Sequence, residues 1–212
     1  MYGFTEAEIK IFRRLNTPQK IQNYLNKLAI NFESDGDTCM SPRLVLKTKK
    51  AHCLEGALFA ACALSFHGYK PLILDLRPEK PDEAHVLAVF KERGHFGAIT
   101  KTNHAVLRFR DPIYKTIREL VMSYFHEYFL DNGKKMLRDY SLPVDLSRFN
   151  KHHWQTDEKG LFYISKYLDK VKHYDILTKH QIKTLRLADP IEIRAGKLVE
   201  WKLAKNRIVK KV

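Results

Sequence analysis

The stretch that decides the fold is Lys47–Pro71, KTKKAHCLEGALFAACALSFHGYKP. From Cys53 to His67 the apolar residues Leu54, Ala57, Leu58, Ala61, Cys62 and Leu64 fall almost all round a helical wheel. A helix with one apolar stripe lies on a surface, whereas a helix apolar on every side is enclosed by a domain. Gly68 follows at the position where a left-handed residue commonly ends a helix. The stretch therefore predicts a buried helix over 53–67. Cys53 stands at its start, just after three lysines and a histidine.

Upstream, TEAEIKIFRRLNTPQKIQNYLNKLAINF predicts two short helices broken near Asn16-Thr17-Pro18. Thr17 is the cap of the second and Pro18 its first residue. Ile21, Tyr24, Leu25 and Leu28 mark its buried face by their helical spacing. ESDGDTCMSP (33–42) reads as a loop. Downstream, PLILDL, HVLAVFKE, HFGAITKT and AVLRFRD read as short strands, and the Glu92-Arg93-Gly94 turn predicts an antiparallel hairpin between the second and third. KTIRELVMSYFHEYF returns to helical spacing. RDYSLPVDLSRFNKHHWQTDEKG (138–160) reads as extended surface connection, LFYISKYLDKVKHYDIL as a helix and TKHQIKTLRLADPIEIR as a mixed segment. Helices, one buried helix, an antiparallel sheet and more helices make an α+β pattern. The 212 residues suit a single domain, 1–212, with a core over about 20–130 and a C-terminal extension over about 131–212.

Composition narrows the classes. Hydrophobic residues make up 44%, enough for a core, and no apolar run approaches the eighteen residues of a membrane span. The start, MYGFTEAEIKIF, lacks the basic and apolar segments of a signal peptide. The three cysteines (Cys39, Cys53, Cys62) are too few and too irregularly spaced for a disulfide framework. The expectation is a cytoplasmic protein with reduced thiols. The net charge of +14 admits an anionic partner. The dense basic groups are only KTKK and KNRIVKK, without any nucleic-acid-reading signature, so a nucleic acid is not the favoured partner.

Cys53 is the candidate nucleophile. Backbone N–H groups at a helix start favour a thiolate over a thiol and can hold an oxyanion. Glu55, one turn in, opposes the thiolate. A cysteine nucleophile needs a base, and the base needs an orienting acceptor. His85 opens the strand HVLAVF. Asn103, at the end of the next strand, and Asp111, in RFRDPIY, are the two candidates to orient it. The histidines at 52, 85, 95 and 104 match no compact metal-ligand motif, so no metal or cofactor is called for. His152-His153 and the His126-Glu127 neighbours read as surface and helix-packing residues.

HCLEGALFAACALSFHGYKPLIL and EAHVLAVFKERGHFGAITKTN together resemble the cysteine-helix segment and histidine-strand hairpin of the transglutaminase-like superfamily, which shares the papain-like cysteine-protease fold. The resemblance covers roughly residues 20–130. It implies Cys53 as nucleophile and His85 as base, 32 residues apart, in acyl transfer on a protein or peptide substrate. In that family an Asp, often followed by Pro, commonly stands about fifteen residues after the histidine and fixes its tautomer. Here Thr100 and Thr102 occupy that neighbourhood, Asn103 lies 18 residues on, and Asp111-Pro112 begins 26 residues on. Asn103 is preferred on hairpin geometry, with Asp111 as alternative. The family's tryptophan near the second strand is absent, with Phe96 in a similar place. A non-catalytic member of the same fold, binding a protein or peptide partner in the cleft, is the alternative reading.

Overall fold

The computed structural model describes residues 2–202; the basic stretch KNRIVKK, 205–211, lies outside them. Two helices open the chain, α1 (Glu6–Arg14) and α2 (Pro18–Lys27). The Thr17 hydroxyl accepts from the Lys20 N–H at 3.2 Å, and Pro18 takes the first helical position. β1 (Ala29–Ile30) pairs in parallel with β2 (Lys50–Ala51), and between them lies α3 (Pro42–Thr48). The sequence reading ended its loop with Ser41-Pro42. In the structure that dipeptide starts a helix: the Ser41 hydroxyl accepts from Leu44 N–H at 3.3 Å, and Pro42 is pre-set for the first turn.

The helix α4 (Cys53–Ser65) is enclosed as expected, and every residue from Leu54 to Leu64 is buried. It packs between α2, α3 and a sheet. That sheet contains β3 (Leu72–Pro78), β4 (His85–Glu92), β5 (His95–Ile99) and β6 (Arg110–Tyr114). β4 and β5 form the predicted hairpin, with Ala88 opposite Ile99. Arg93 (φ 46°) and Gly94 (φ 86°) are both left-handed, the two-residue turn whose twist suits the flanking strands. Along β4, Val86, Ala88 and Phe90 join the α4 core, while Leu87 and Val89 pack with α5 (Ile117–Phe125) on the other face. Gly56 of α4 is set by a close approach: a Cβ there would stand 2.4 Å from the Cβ of Lys101. Lys101 is itself buried and donates to the Leu25 and Leu28 carbonyls at the end of α2 (3.1 and 2.6 Å).

Two regions differ from the sequence reading. The fourth strand starts at Arg110, because the chain before it turns to meet the C-terminal segment: His104 bridges Val199, and Ala105 N–H donates to the Leu198 carbonyl at 3.0 Å. Residues 138–160 are no surface connection. β7 (Leu137–Ser141), β8 (Val144–Asp145) and, further on, β9 (His173–Asp175) complete one antiparallel sheet in the order β6-β5-β4-β3-β7-β9, with β8 also on β3. Trp154 beyond them is fully buried. The charged look of Arg138 and Asp139 misled because both are paired, to Glu79 and Arg77, while Leu137 and Tyr140 turn inward. α6 (Phe162–Leu168), α7 (Lys179–Thr184) and α8 (Pro190–Gly196) finish the described chain. The fold is α+β, a large antiparallel sheet flanked by helices, and no described helix is long and apolar enough to cross a membrane.

Candidate active site

Cys53 is the first residue of α4, and His52 is its cap residue in extended backbone (φ −92°, ψ −174°). First-turn N–H groups of a helix have no intrahelical acceptor, so the sulfur sits at the positive end of the buried helix. Cys53 is partly exposed, unlike Cys39 and Cys62. Its sulfur lies 3.8 Å from the Ala84 carbonyl oxygen, just before β4 begins. The imidazoles of His52 and His85 are the groups that act on its ionisation. Cys53 and His85 line the same cleft.

The side chain that meets His85 is that of Thr100. His85 Nε2 lies 2.7 Å from Thr100 Oγ1, and that hydroxyl donates to the Leu107 carbonyl at 3.1 Å. A hydroxyl has one hydrogen. With it spent on Leu107, Thr100 accepts from His85, and the His85 proton is fixed on Nε2. Nδ1 is then the nitrogen that faces the sulfur. Thr100 is in turn clamped at its backbone by the Gln22 amide, which donates to Thr100 O at 2.8 Å and accepts from Thr100 N at 3.0 Å. Gln22 is buried on α2. Helix α2 thus holds the residue that holds the histidine.

Asn103 and Asp111 do not take this place. β5 ends at Ile99 and the chain then turns, so the Asn103 amide faces the C-terminal segment. It donates to Trp201 O at 3.0 Å and accepts from Trp201 N at 2.9 Å. Asp111 is exposed on the edge strand β6, with β5 between it and β4. The spacing of Thr100 from His85, 15 residues, was the signal; the weight given to an amide or acid side chain hid it. Nothing in the sequence reading pointed to Gln22.

On the other side of the sulfur, His52 Nε2 lies 3.1 Å from the Thr38 carbonyl, 3.4 Å from Glu55 and 3.6 Å from Glu33. Glu55 is completely buried. It accepts from Thr38 Oγ1 (2.7 Å), Met40 N (2.9 Å), His52 N (2.9 Å) and Asn31 Nδ2 (3.1 Å). Four donors thus satisfy the buried Glu55 carboxyl, and the His52 ring lies beside it.

These contacts separate the three thiols. Burial pushes Cys39 up to about 12 and Cys62 well above the ordinary value. Burial also pushes Cys53 up, but the hydrogen bonds and charges of His52 and His85 outweigh it and bring the thiol down to about 5. Burial pushes His52 down, but its hydrogen bonding to Cys53, with the thiolate as acceptor, and then the charges of Cys53, Glu55 and Glu33, raise it to about 9. At neutral pH Cys53 is a thiolate beside an imidazolium. Cys53 and His85 open into a cleft of about 340 Å³, lined also by Asp82, Glu83, Asn103 and Tyr128. Among the described residues no group of three or more His, Cys, Asp or Glu is placed to hold a metal ion. Neither a protein-family model nor a curated protein matches this chain.

Proposed function

We propose that the protein is a cysteine-dependent acyl-transfer enzyme acting on amide bonds, with a transglutaminase- or papain-like arrangement of helix and sheet. The observation that carries this is the convergence at one open cleft of a thiol at a helix start and an imidazole, the imidazole backed by a buried hydroxyl that fixes its tautomer. Cys53 attacks the carbonyl carbon, the carbonyl electrons moving to oxygen. The α4 N–H groups stabilise that oxyanion. His85 takes the Cys53 thiol proton on the nitrogen not bonded to Thr100, delivers it to the leaving amine as the C–N bond breaks, then takes one from the water or amine that releases the acyl group. A peptide or protein amide fits the open, polar cleft as substrate.

The second reading is a non-catalytic member binding a protein or peptide partner in the same cleft. It is favoured by one observation, that neither an amide nor a carboxylate supports His85. The two separate on reactivity. Full-length protein treated with an electrophilic acyl-type thiol probe labels at Cys53 much faster than at Cys39 or Cys62, and Cys53→Ala abolishes labelling and turnover while leaving the fold intact. Turnover unchanged in Cys53→Ala rules the mechanism out. A Cys53 no more reactive than the two buried thiols leaves the binding module.

A further inference from the structure

We propose that Asn103–Ala105 is a docking strip for an extended peptide, held in this structure by the chain's own segment Lys197–Trp201, which an incoming peptide displaces. The inference rests on the cleft being a peptide site and adds how the peptide is held. The segment runs antiparallel beside the strip, with His104 opposite Val199. Ala105 N–H donates to the Leu198 carbonyl and Glu200 N–H to the Asn103 carbonyl, both at 3.0 Å. These two bonds flank the His104–Val199 pair as the bonds of an added antiparallel strand do. The Asn103 side-chain amide extends the ladder, donating to the Trp201 carbonyl at 3.0 Å and accepting from Trp201 N–H at 2.9 Å. His104 Nδ1 lies 2.9 Å from the carbonyl of Gly196, the residue just before the segment. Each of these bonds ends on a main-chain atom of the strand laid against the strip. A strip that bonds main chain selects an extended conformation and leaves the sequence free.

The strip belongs to the cleft of the nucleophile. Asn103 and His104 border the cavity into which Cys53 and His85 open, and so do Ile193 and Gly196 ahead of the segment. The segment itself is poorly anchored. Beyond Ala188 no described residue is buried, and Leu198, Val199 and Trp201 are exposed. Neither hydrophobic cluster includes a residue of the segment. Its side-chain ties are two solvent-accessible ion pairs, Arg108–Glu200 at 3.1 Å and Lys197–Asp131 at 3.3 Å, and such pairs hold weakly. A segment that buries little apolar surface opens at low cost, so this one leaves the strip without opening either core. What it leaves behind is a row of main-chain groups and one side-chain amide beside the nucleophile, ready for another extended chain.

The test adds the segment in trans. Fluorescein-labelled GKLVEWK, the sequence of 196–202, is titrated by anisotropy against the full-length protein, Glu200→Pro and Glu200→Pro/Asn103→Ala. In wild type the tethered segment outcompetes the free peptide. Proline at 200 has no N–H to give the Asn103 carbonyl. The freed strip is expected to bind the peptide about 5–30-fold more tightly, the factor that one or two hydrogen bonds contribute. Adding Asn103→Ala removes the side-chain amide and is expected to reverse most of that gain. A scrambled peptide of the same composition is expected to bind nearly as tightly as GKLVEWK, because the bonds go to main chain. Trp201→Pro, which loses the N–H given to the Asn103 amide, serves if Glu200→Pro does not fold. Affinity unchanged in both proline variants, or binding of GKLVEWK without binding of the scrambled peptide, overturns the docking strip. Iodoacetamide labelling of the three cysteines is read on the same samples. Cys53 labelled faster than Cys39 and Cys62, with no docking, overturns the strip and leaves acyl transfer standing. Docking as expected, with Cys53 no faster than the other two, supports the strip and overturns acyl transfer.

Discussion

The two parts of α4 carry a cysteine each, in opposite states. Cys62, in the body of the helix, is surrounded by Phe59, Ala60, Ala63 and the rest of an apolar core, and burial alone holds it as a thiol. Cys53, at the start of the same helix, meets two imidazoles and the helix N-terminus, and is ionised. Cys62 is sealed in the core, and Cys53 is largely covered at the edge of a cleft. What separates them is whether charge and hydrogen bonds replace the lost solvent. Burial by itself makes a thiol inert; imidazole neighbours and a helix N-terminus favour its thiolate.

The same contrast explains what the sequence disclosed. The body of α4 was legible because the all-round apolar pattern has one physical solution, enclosure, and the β4–β5 hairpin was legible because strand alternation met a Gly-containing turn. Cys53 and His85 were legible as chemistry at the starts of a helix and a strand. The supports were not. Gln22, Thr100 and Glu55 belong to three separate elements, and their polar side chains read locally as surface or helix-start residues. Their partners lie 78, 15 and, for Met40, 15 residues away. Long-range hydrogen bonds leave no periodicity, so hairpin geometry pointed to Asn103, with Asp111 as alternative, and Asn103 spends its amide on Trp201 instead.

The largest expected effect probes the polar start. Glu55→Ala strips the acceptor from Asn31, Thr38, Met40 N–H and His52 N–H and leaves the His52 cation without its buried partner. Breaking one side of a buried charged cluster costs about 3–5 kcal/mol. The expected outcome is a fall of that size in urea unfolding free energy, or no folded protein. A loss below about 1 kcal/mol, the scale of one ordinary hydrogen bond, would mean that the carboxylate is not the hub of the helix start.

Thr100→Val keeps shape and removes the hydroxyl. His85 loses its acceptor and Leu107 O its donor. Acyl-probe labelling of Cys53 is expected to slow by about 10–100-fold, within the range for a misplaced general base, and Thr100→Ser is expected to restore it. Labelling by Thr100→Val at the wild-type rate would remove Thr100 from the site. Restored labelling in the serine variant separates the lost hydroxyl from any loss of packing.

The charged pair also sets a pH window for stability. Cys53 is depressed from 9.0 to about 5, so its contribution is full above about 9 and is lost as pH falls through about 5. His52 is raised from 6.5 to about 9, so its contribution is full below 6.5 and is lost as pH rises through about 9. Between 6.5 and 9 folding releases a proton from one group and takes one up on the other, and the two slopes cancel. Between 5 and 6.5 only the Cys53 slope remains. The melting temperature of wild type relative to Cys53→Ala is therefore expected to be level from 6.5 to 9 and to fall from 6.5 to 5. A difference that rises on acidification, or that slopes across the alkaline window, would contradict the thiolate–imidazolium pair.

The smallest effect belongs to the apolar end. Cys62→Ala removes one sulfur from a site where the thiol is neutral and fully buried. Its Sγ–H has the size of a methylene or methyl group, so the loss is expected to be about 1 kcal/mol, from lost burial and a small cavity. The alkylation rate and pH midpoint of Cys53 are expected to stay at the wild-type values, because eight residues of enclosed helix lie between the two cysteines. Cys62→Ser makes the complementary point. It keeps the volume but places a hydroxyl in an apolar environment, which costs more than the alanine unless the hydroxyl finds an acceptor. Ser65 in the last turn does so, donating to the Cys62 carbonyl at 2.7 Å, and a serine at 62 has the Leu58 carbonyl one turn earlier as its nearest helical acceptor. A serine variant as stable as the alanine would show that this back-bond forms. A shift of Cys53 reactivity in either variant would show that the two parts of α4 are coupled, and that the polar start depends on how the apolar body is packed.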